Sequence, residues 1–307
     1  MKMIRKSMIA GIAVLLILGG CGHREKDANN YRVAAVLPEN GKVHATYYWQ
    51  KVWEGVHEEA DVQHFQLSEY QTNETDRNII SEMLELASAA EVDGIIVNAN
   101  STVNSQLLQV REEGCKVVVL DSDIGEEYYD LFVGINNCEA SRQLAEYLIE
   151  NYKSGELLLL HVDASRAVRE RYEAFEKVLE EAGLSEKTVV LELRNENEER
   201  IEDMQHMLEN NREIRWIISF DPSCTLQAAE SVERLKLSDA TFLIGFGESD
   251  TTRNYMQDRT IDALLLQDNV QLGRKAAELI GNLIAGEIPD QKQVYIDTEL
   301  QTVQEGK

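Results

Sequence analysis

Two nearly unbroken apolar runs, Gly94-Ile95-Ile96-Val97 and Lys116-Val117-Val118-Val119-Leu120, constrain this chain more than any other feature. A strand that is apolar on both faces has to be covered on both, the situation of a parallel sheet with helices above and below. A helical segment carrying Leu107, Leu108 and Val110 separates the two runs. The same alternation continues upstream. Val33 to Leu37 reads as a strand, a helix follows with Tyr48, Val52, Val56 and Ala60 at spacing four, and a strand is expected from Gln63 to Leu67. Ile79, Ile80, Met83, Leu84 and Ala87 then form a helical stripe, and Leu131 to Ile135 supplies a fifth strand.

The pattern then starts again. Leu157 to Leu160 precedes a helix with Phe175, Val178, Leu179 and Ala182, and Val189 to Leu193 precedes one with Ile201, Met204 and Leu208. Ile214 to Phe220, Thr241 to Phe246 and Ile261 to Leu266 are further strands, and the last helix, Gln271 to Ala285, stops at Gly286. The fold class is therefore α/β, two successive doubly wound, Rossmann-like lobes. With three prolines in the chain and no Pro/Gly/Ser-rich linker, the crossing between lobes is expected to be direct, near Asn136 to Glu139, which suits a hinge.

The first twenty residues form a separate unit. Lys2, Arg5 and Lys6 precede an apolar run from Met8 to Leu18, about 11 residues against the roughly 20 of a membrane-spanning helix. Leu18-Gly19-Gly20-Cys21 resembles the bacterial lipobox, which implies cleavage after residue 20 and lipid on Cys21. Two acyl chains anchor a protein stably where one holds it marginally. Residues 22–30 are polar and read as a tether.

Formal net charge is −25, and −28 once the three cations of residues 1–20 are removed. So acidic a surface repels phosphate backbones, which excludes nucleic-acid binding. Cys115, Cys138 and Cys224 are too few and too scattered for a disulfide framework or zinc site, and read as small buried hydrophobes. No nucleophile elbow or Walker loop is present, and Gly245-Phe246-Gly247 is a fragment of a dinucleotide motif. No metal and no cofactor is expected, and nothing assembles a nucleophile, base and orienter, so the chain does not read as an enzyme.

In open α/β sheets ligands bind beyond the carboxyl ends of the strands. There the chain places Thr46, Tyr48 and Trp49, whose aromatic faces either stack on a sugar ring or belong to the core. Asp121 follows the fourth strand, and either accepts from vicinal hydroxyls or caps a turn. In the second half stand Asp163, Arg169, Asp221, Glu248 and Gln267. Arg169 offers a planar fork of donors, while Glu170 and Arg171 read as an ion pair at a helix start. Polar groups from both halves imply a ligand between them.

Taken in order, Thr46-Tyr47-Tyr48-Trp49 with Gly55, Asp93 to Asn98, Val118 to Asp121, Arg169 to Phe175, Ile244-Gly245-Phe246 and Leu266-Gln267 resemble the type I periplasmic binding proteins. These are the ribose- and galactose-binding substrate receptors of ABC transporters. The resemblance spans Tyr31 to about Gln301. It implies a multi-strand hinge between an N-terminal lobe of residues 31–136 plus 268–293 and a C-terminal lobe of residues 137–267 plus 294–307. It also implies a monomer and a ligand held by Thr46, Tyr48, Trp49, Asp121, Arg169, Asp221 and Gln267. Its partner would be an ABC permease or, alternatively, a receptor histidine kinase, at the outer face of the cell membrane. Three positions depart from the monosaccharide pattern: Ser122 stands for an arginine, Asp221-Pro222 for Asn-Asp, and Gly247 for an aspartate. A modified sugar, a polyol and a non-sugar solute are therefore all open.

Overall fold

The computed structural model describes residues 31–39, 46–72, 78–162, 165–193 and 198–303. The expected signal peptide, Cys21, the tether and Asp163 lie outside them. The first half runs β1 (Arg32–Pro38), α1 (Thr46–Gln63), β2 (Gln66–Thr72), α2 (Ile79–Ala89), β3 (Gly94–Val97), α3 (Asn104–Glu112), β4 (Lys116–Leu120), β5 (Leu131–Gly134) and α4 (Asn137–Asn151). There follow β6 (Glu156–His161), α5 (Arg166–Glu181), β7 (Thr188–Glu192), α6 (Glu198–Asn210), β8 (Ile214–Ser219), α7 (Pro222–Arg234), β9 (Phe242–Phe246) and α8 (Asp250–Gln257). The chain closes with β10 (Ala263–Gln267), α9 (Asn269–Ile284), β11 (Gln293–Tyr295) and β12 (Thr298–Thr302).

The strands form two six-stranded sheets, β2-β1-β3-β4-β5-β11 and β7-β6-β8-β9-β10-β12. The first is parallel throughout. In the second only β12 is antiparallel, against β10. The two-lobed α/β architecture read from the sequence is the one observed. Period-two alternation explains the apolar strands: Val33, Ala35, Leu37, Ile96, Val118 and Leu120 face one core, while Ala34, Val36, Ile95, Val97, Val117 and Val119 face a second beneath α2 and α3. The strand expected from Gln63 to Leu67 is displaced to β2, because α1 continues to Gln63 and ends at His64, whose φ is 59°. β11 and β12 are short, partly exposed strands with weak apolar patterns, and the sequence did not announce them.

The chain passes between the sheets at residues 135–136, 268 and 296–297. The first two passages share a backbone. Asn136 (φ −77°, ψ 93°) and Asp268 (φ −78°, ψ 95°) each leave a strand and cap the next helix, accepting from the N–H of Glu139 at 3.1 Å and of Gln271 at 2.9 Å. The third falls beyond the boundary expected at 293, since Gln293 to Tyr295 pair with β5 in the first sheet. α4 packs on α5 in the second lobe, and α9 returns to pack on α1 and the first sheet. The α1–α9 approach depends on glycine: a Cβ on Gly55 would lie 1.9 Å from the Val270 carbonyl oxygen, and one on Gly273 would lie 1.9 Å from that of Val52. This contact fixes the axis of α1, and with it the first turn that carries Tyr48. Among the described residues no helix is long and apolar enough to cross a membrane.

Candidate functional site

The carboxyl ends of the first sheet's strands, those of the second and the two capped crossings converge on one polar cluster. Tyr48, in the first turn of α1, donates its hydroxyl hydrogen to Asp121 Oδ1 at 2.5 Å. The Tyr48 hydroxyl oxygen in turn accepts from Gln267 Nε2 at 3.0 Å. Asp121 follows β4 and Gln267 ends β10, so this chain of hydrogen bonds joins the two sheets.

Asp121 has a φ of 73°, in the left-handed region that Asp and Asn tolerate better than most residues. Its N–H donates to the Val133 carbonyl at 2.9 Å, which holds that turn. Burial raises its carboxyl above the usual range, opposed by the Tyr48 hydrogen bond, by Arg171 and by Ser122. Burial and the neighbouring Asp121 carboxylate also raise the Tyr48 phenol, which therefore keeps its proton and stays a donor.

The second lobe contributes Arg171. Its Nε donates to Asn137 Oδ1 at 2.8 Å, its Nη1 to the Phe220 carbonyl at 3.2 Å, and its guanidinium carbon lies 4.6 Å from the centre of the Phe246 ring. Burial lowers its affinity for its proton, while the facing charges of Asp121, the Tyr48 oxygen and Asp221 oppose that loss. The site thus sets a carboxylate from one lobe against a guanidinium from the other, with the aromatic rings of Tyr48 and Phe246 beside them.

Arg171, and not the expected Arg169, is the arginine of this cluster. Arg169 is exposed on α5, whereas Arg171 is 6 % exposed. Nor do Glu170 and Arg171 pair as expected. Glu170 instead accepts from Arg166 Nε at 2.8 Å and from Asn137 Nδ2 at 3.0 Å. The signal for Arg171 was present: it shares the buried stripe of α5 with Ala167, Val168, Phe175 and Leu179. An arginine on an apolar stripe must find polar partners inside the molecule.

The other expected residues divide. Trp49 is 7 % exposed and belongs to the core, its ring edge-on to Tyr48 at 4.9 Å. Thr46 opens α1, and its side chain lies outside the described residues. Asp221 caps α7, its Oδ1 accepting from the N–H groups of Ser223 at 2.9 Å and Cys224 at 3.0 Å. Glu248 accepts from Arg253 Nε at 2.8 Å. It borders, with Gln267, Asp268, Asn269 and Lys51, an open cavity of about 440 Å³ beside the crossings. Asn137, Phe220 and Phe246 were not anticipated. Of the cysteines, Cys224 is buried, Cys115 partly buried and Cys138 exposed, so the buried-hydrophobe expectation fails for Cys138.

Two departures from the monosaccharide pattern prove to be one packing event. Gly247 has a φ of 96°, and a Cβ there would lie 2.5 Å from Pro222 Cβ. Pro222 is the first residue of α7, a position proline favours. With proline there, a side chain at 247 has neither the space nor the backbone it needs.

The chain belongs to the periplasmic binding protein domain family, whose model matches residues 41–288. No curated protein matches its sequence. Among solved structures it is similar to a carbohydrate-transporter solute-binding protein from Agrobacterium radiobacter in complex with D-arabinose, with 17 % identity over 89 % of this chain and 94 % of that one, TM-score 0.77. GanP, a glucose-galactose binding protein from Geobacillus stearothermophilus, is 19 % identical over 89 % and 98 %, TM-score 0.78. A chain of the XylFII-LytSN complex is 17 % identical over 89 % and 98 %, TM-score 0.75. At these identities the likeness establishes the fold.

Proposed function

We propose that this chain is an extracytoplasmic receptor, anchored by lipid on Cys21, that closes its two lobes around a small polar, sugar-like solute and delivers it to an ABC importer. The observation that carries this is the convergence of Tyr48 and Asp121 from one lobe with Arg171 and Gln267 from the other. A solute reaching both sets binds the closed form better than the open one, and that difference drives closure. A carboxylate, an amide and a guanidinium around aromatic rings suit hydroxyls on a ring with apolar faces. The sugars named with the similar structures point the same way.

A second reading changes only the recipient, to a sensor kinase ectodomain. It is favoured by XylFII, which has been solved with a second protein, LytSN. Either recipient gains from an anchor that keeps the receptor near it.

The test is a thermal-shift screen of sugars, polyols and related solutes on the purified protein. A solute at 100 times its dissociation constant adds about 2.7 kcal/mol. No stabiliser in a broad panel refutes the proposal. Cell fractionation of wild type and Cys21→Ser tests the anchor: the variant is expected to leave the membrane fraction.

A further inference from the structure

The cleft between the lobes already contains a hydroxyl. The Tyr48 oxygen stands between Asp121 Oδ1 at 2.5 Å and Gln267 Nε2 at 3.0 Å, its one proton committed to the carboxylate and a lone pair to the amide. Both sides of this arrangement are held. Trp49, buried in the core, packs edge-on against the Tyr48 ring at 4.9 Å, and the Asp121 backbone is tied to Val133. Asp121 and Gln267 lie at the carboxyl ends of strands in different sheets, where a bound solute presents its polar edge.

We propose that Tyr48 is a specificity-determining residue whose hydroxyl takes the place of one solute hydroxyl, so that the receptor selects solutes carrying a C–H edge there, as deoxy sugars do. The inference rests on the sugar-like solute proposed above. A solute hydroxyl directed to this place finds the position between the carboxylate oxygen and the amide filled by the Tyr48 hydroxyl, and a buried hydroxyl left without a partner is penalised. A deoxy edge leaves no polar group unpaired on either side. Phenylalanine at this position frees Asp121 Oδ1 and Gln267 Nε2 and opens a gap of hydroxyl size.

The experiment is isothermal titration of wild type and Tyr48→Phe with matched pairs differing by one hydroxyl: D-galactose and D-fucose, D-ribose and 2-deoxy-D-ribose, D-glucose and 2-deoxy-D-glucose. In at least one pair wild type is expected to bind the deoxy member at least tenfold more tightly, and Tyr48→Phe to abolish or reverse that preference. A thermal melt checks that the variant is folded, and the wild-type arm decides the matter even if it is not. Preference of wild type for the hydroxylated member in every pair it binds, or an unchanged deoxy preference in the variant, overturns the inference and leaves the receptor reading intact. Binding of none of the six sugars overturns the inference, and the broad solute screen described above then decides the receptor reading.

Discussion

Arg171 Nε donates to Asn137 Oδ1 at 2.8 Å, tying the second turn of α5 to the residue where the chain enters the second lobe. Arg171→Ala leaves Asn137 and the Phe220 carbonyl without this donor, and should cost about 1 to 3 kcal/mol in urea unfolding. It should also weaken the best stabiliser from the solute screen at least tenfold. Arg169→Ala, on the exposed face of the same helix, should stay within about threefold of wild type, roughly 0.6 kcal/mol. The opposite ranking would remove Arg171 from the site.

A pH dependence follows from Asp121. Its carboxyl is raised in the folded protein, chiefly by burial. The stability linked to a raised carboxyl is fully present below the unfolded value and is lost as pH rises through the folded one. At pH 7 the charged carboxylate is therefore a cost compared with a neutral side chain of the same shape, and asparagine also tolerates the φ of 73°. Asp121→Asn should be more stable than wild type at pH 7, with the gap narrowing as pH falls through the raised value towards 3.8. Urea melts at pH 7 and pH 4 read this directly. A gap that does not change with pH would count against the assignment.

Gly247 and Pro222 should behave as a pair. Gly247→Asp meets both the positive φ and the Pro222 ring, and overpacking with backbone strain should cost about 1 to 3 kcal/mol. Combining it with Pro222→Asp removes the ring contact, so the double variant should be less destabilised than additivity predicts. Additive losses in a double-mutant cycle would show the two positions to be independent.

The three cysteines among the described residues should differ in reactivity. Burial pushes the Cys224 thiol to about 12, with Asp221 adding to the effect, and burial with Asp93 takes Cys115 to about 12. Cys138 is exposed beside a crossing between the lobes. At pH 8 maleimide should label Cys138 in the native protein and reach Cys115 and Cys224 only in denaturant, as mass spectrometry will show. Equal labelling of Cys224 in native protein would contradict its burial. A fluorophore on Cys138 should then report solute-induced closure.

The apolar runs of β3 and β4 and the helical stripes between them announced two covered parallel sheets, because burial on both faces leaves its mark on every residue of a strand. Asp121 and Gln267 were legible for a related reason, since strand ends are where doubly wound sheets hold ligands. β11 and β12 left no such mark: they are short and half-exposed, and pair through backbone groups that every residue carries. Arg171 shows where reading along the chain stopped. It was read as the partner of Glu170, although it stands four residues before Phe175 on the buried stripe of α5, and its partners Asn137, Phe220 and Phe246 come from three other elements. The sequence alone determined the layers and the edge at which a site could form. Only the tertiary structure decided which arginine enters it, that Tyr48 fills part of it, and that Gly247 answers Pro222, because each depends on contacts between residues distant in the chain.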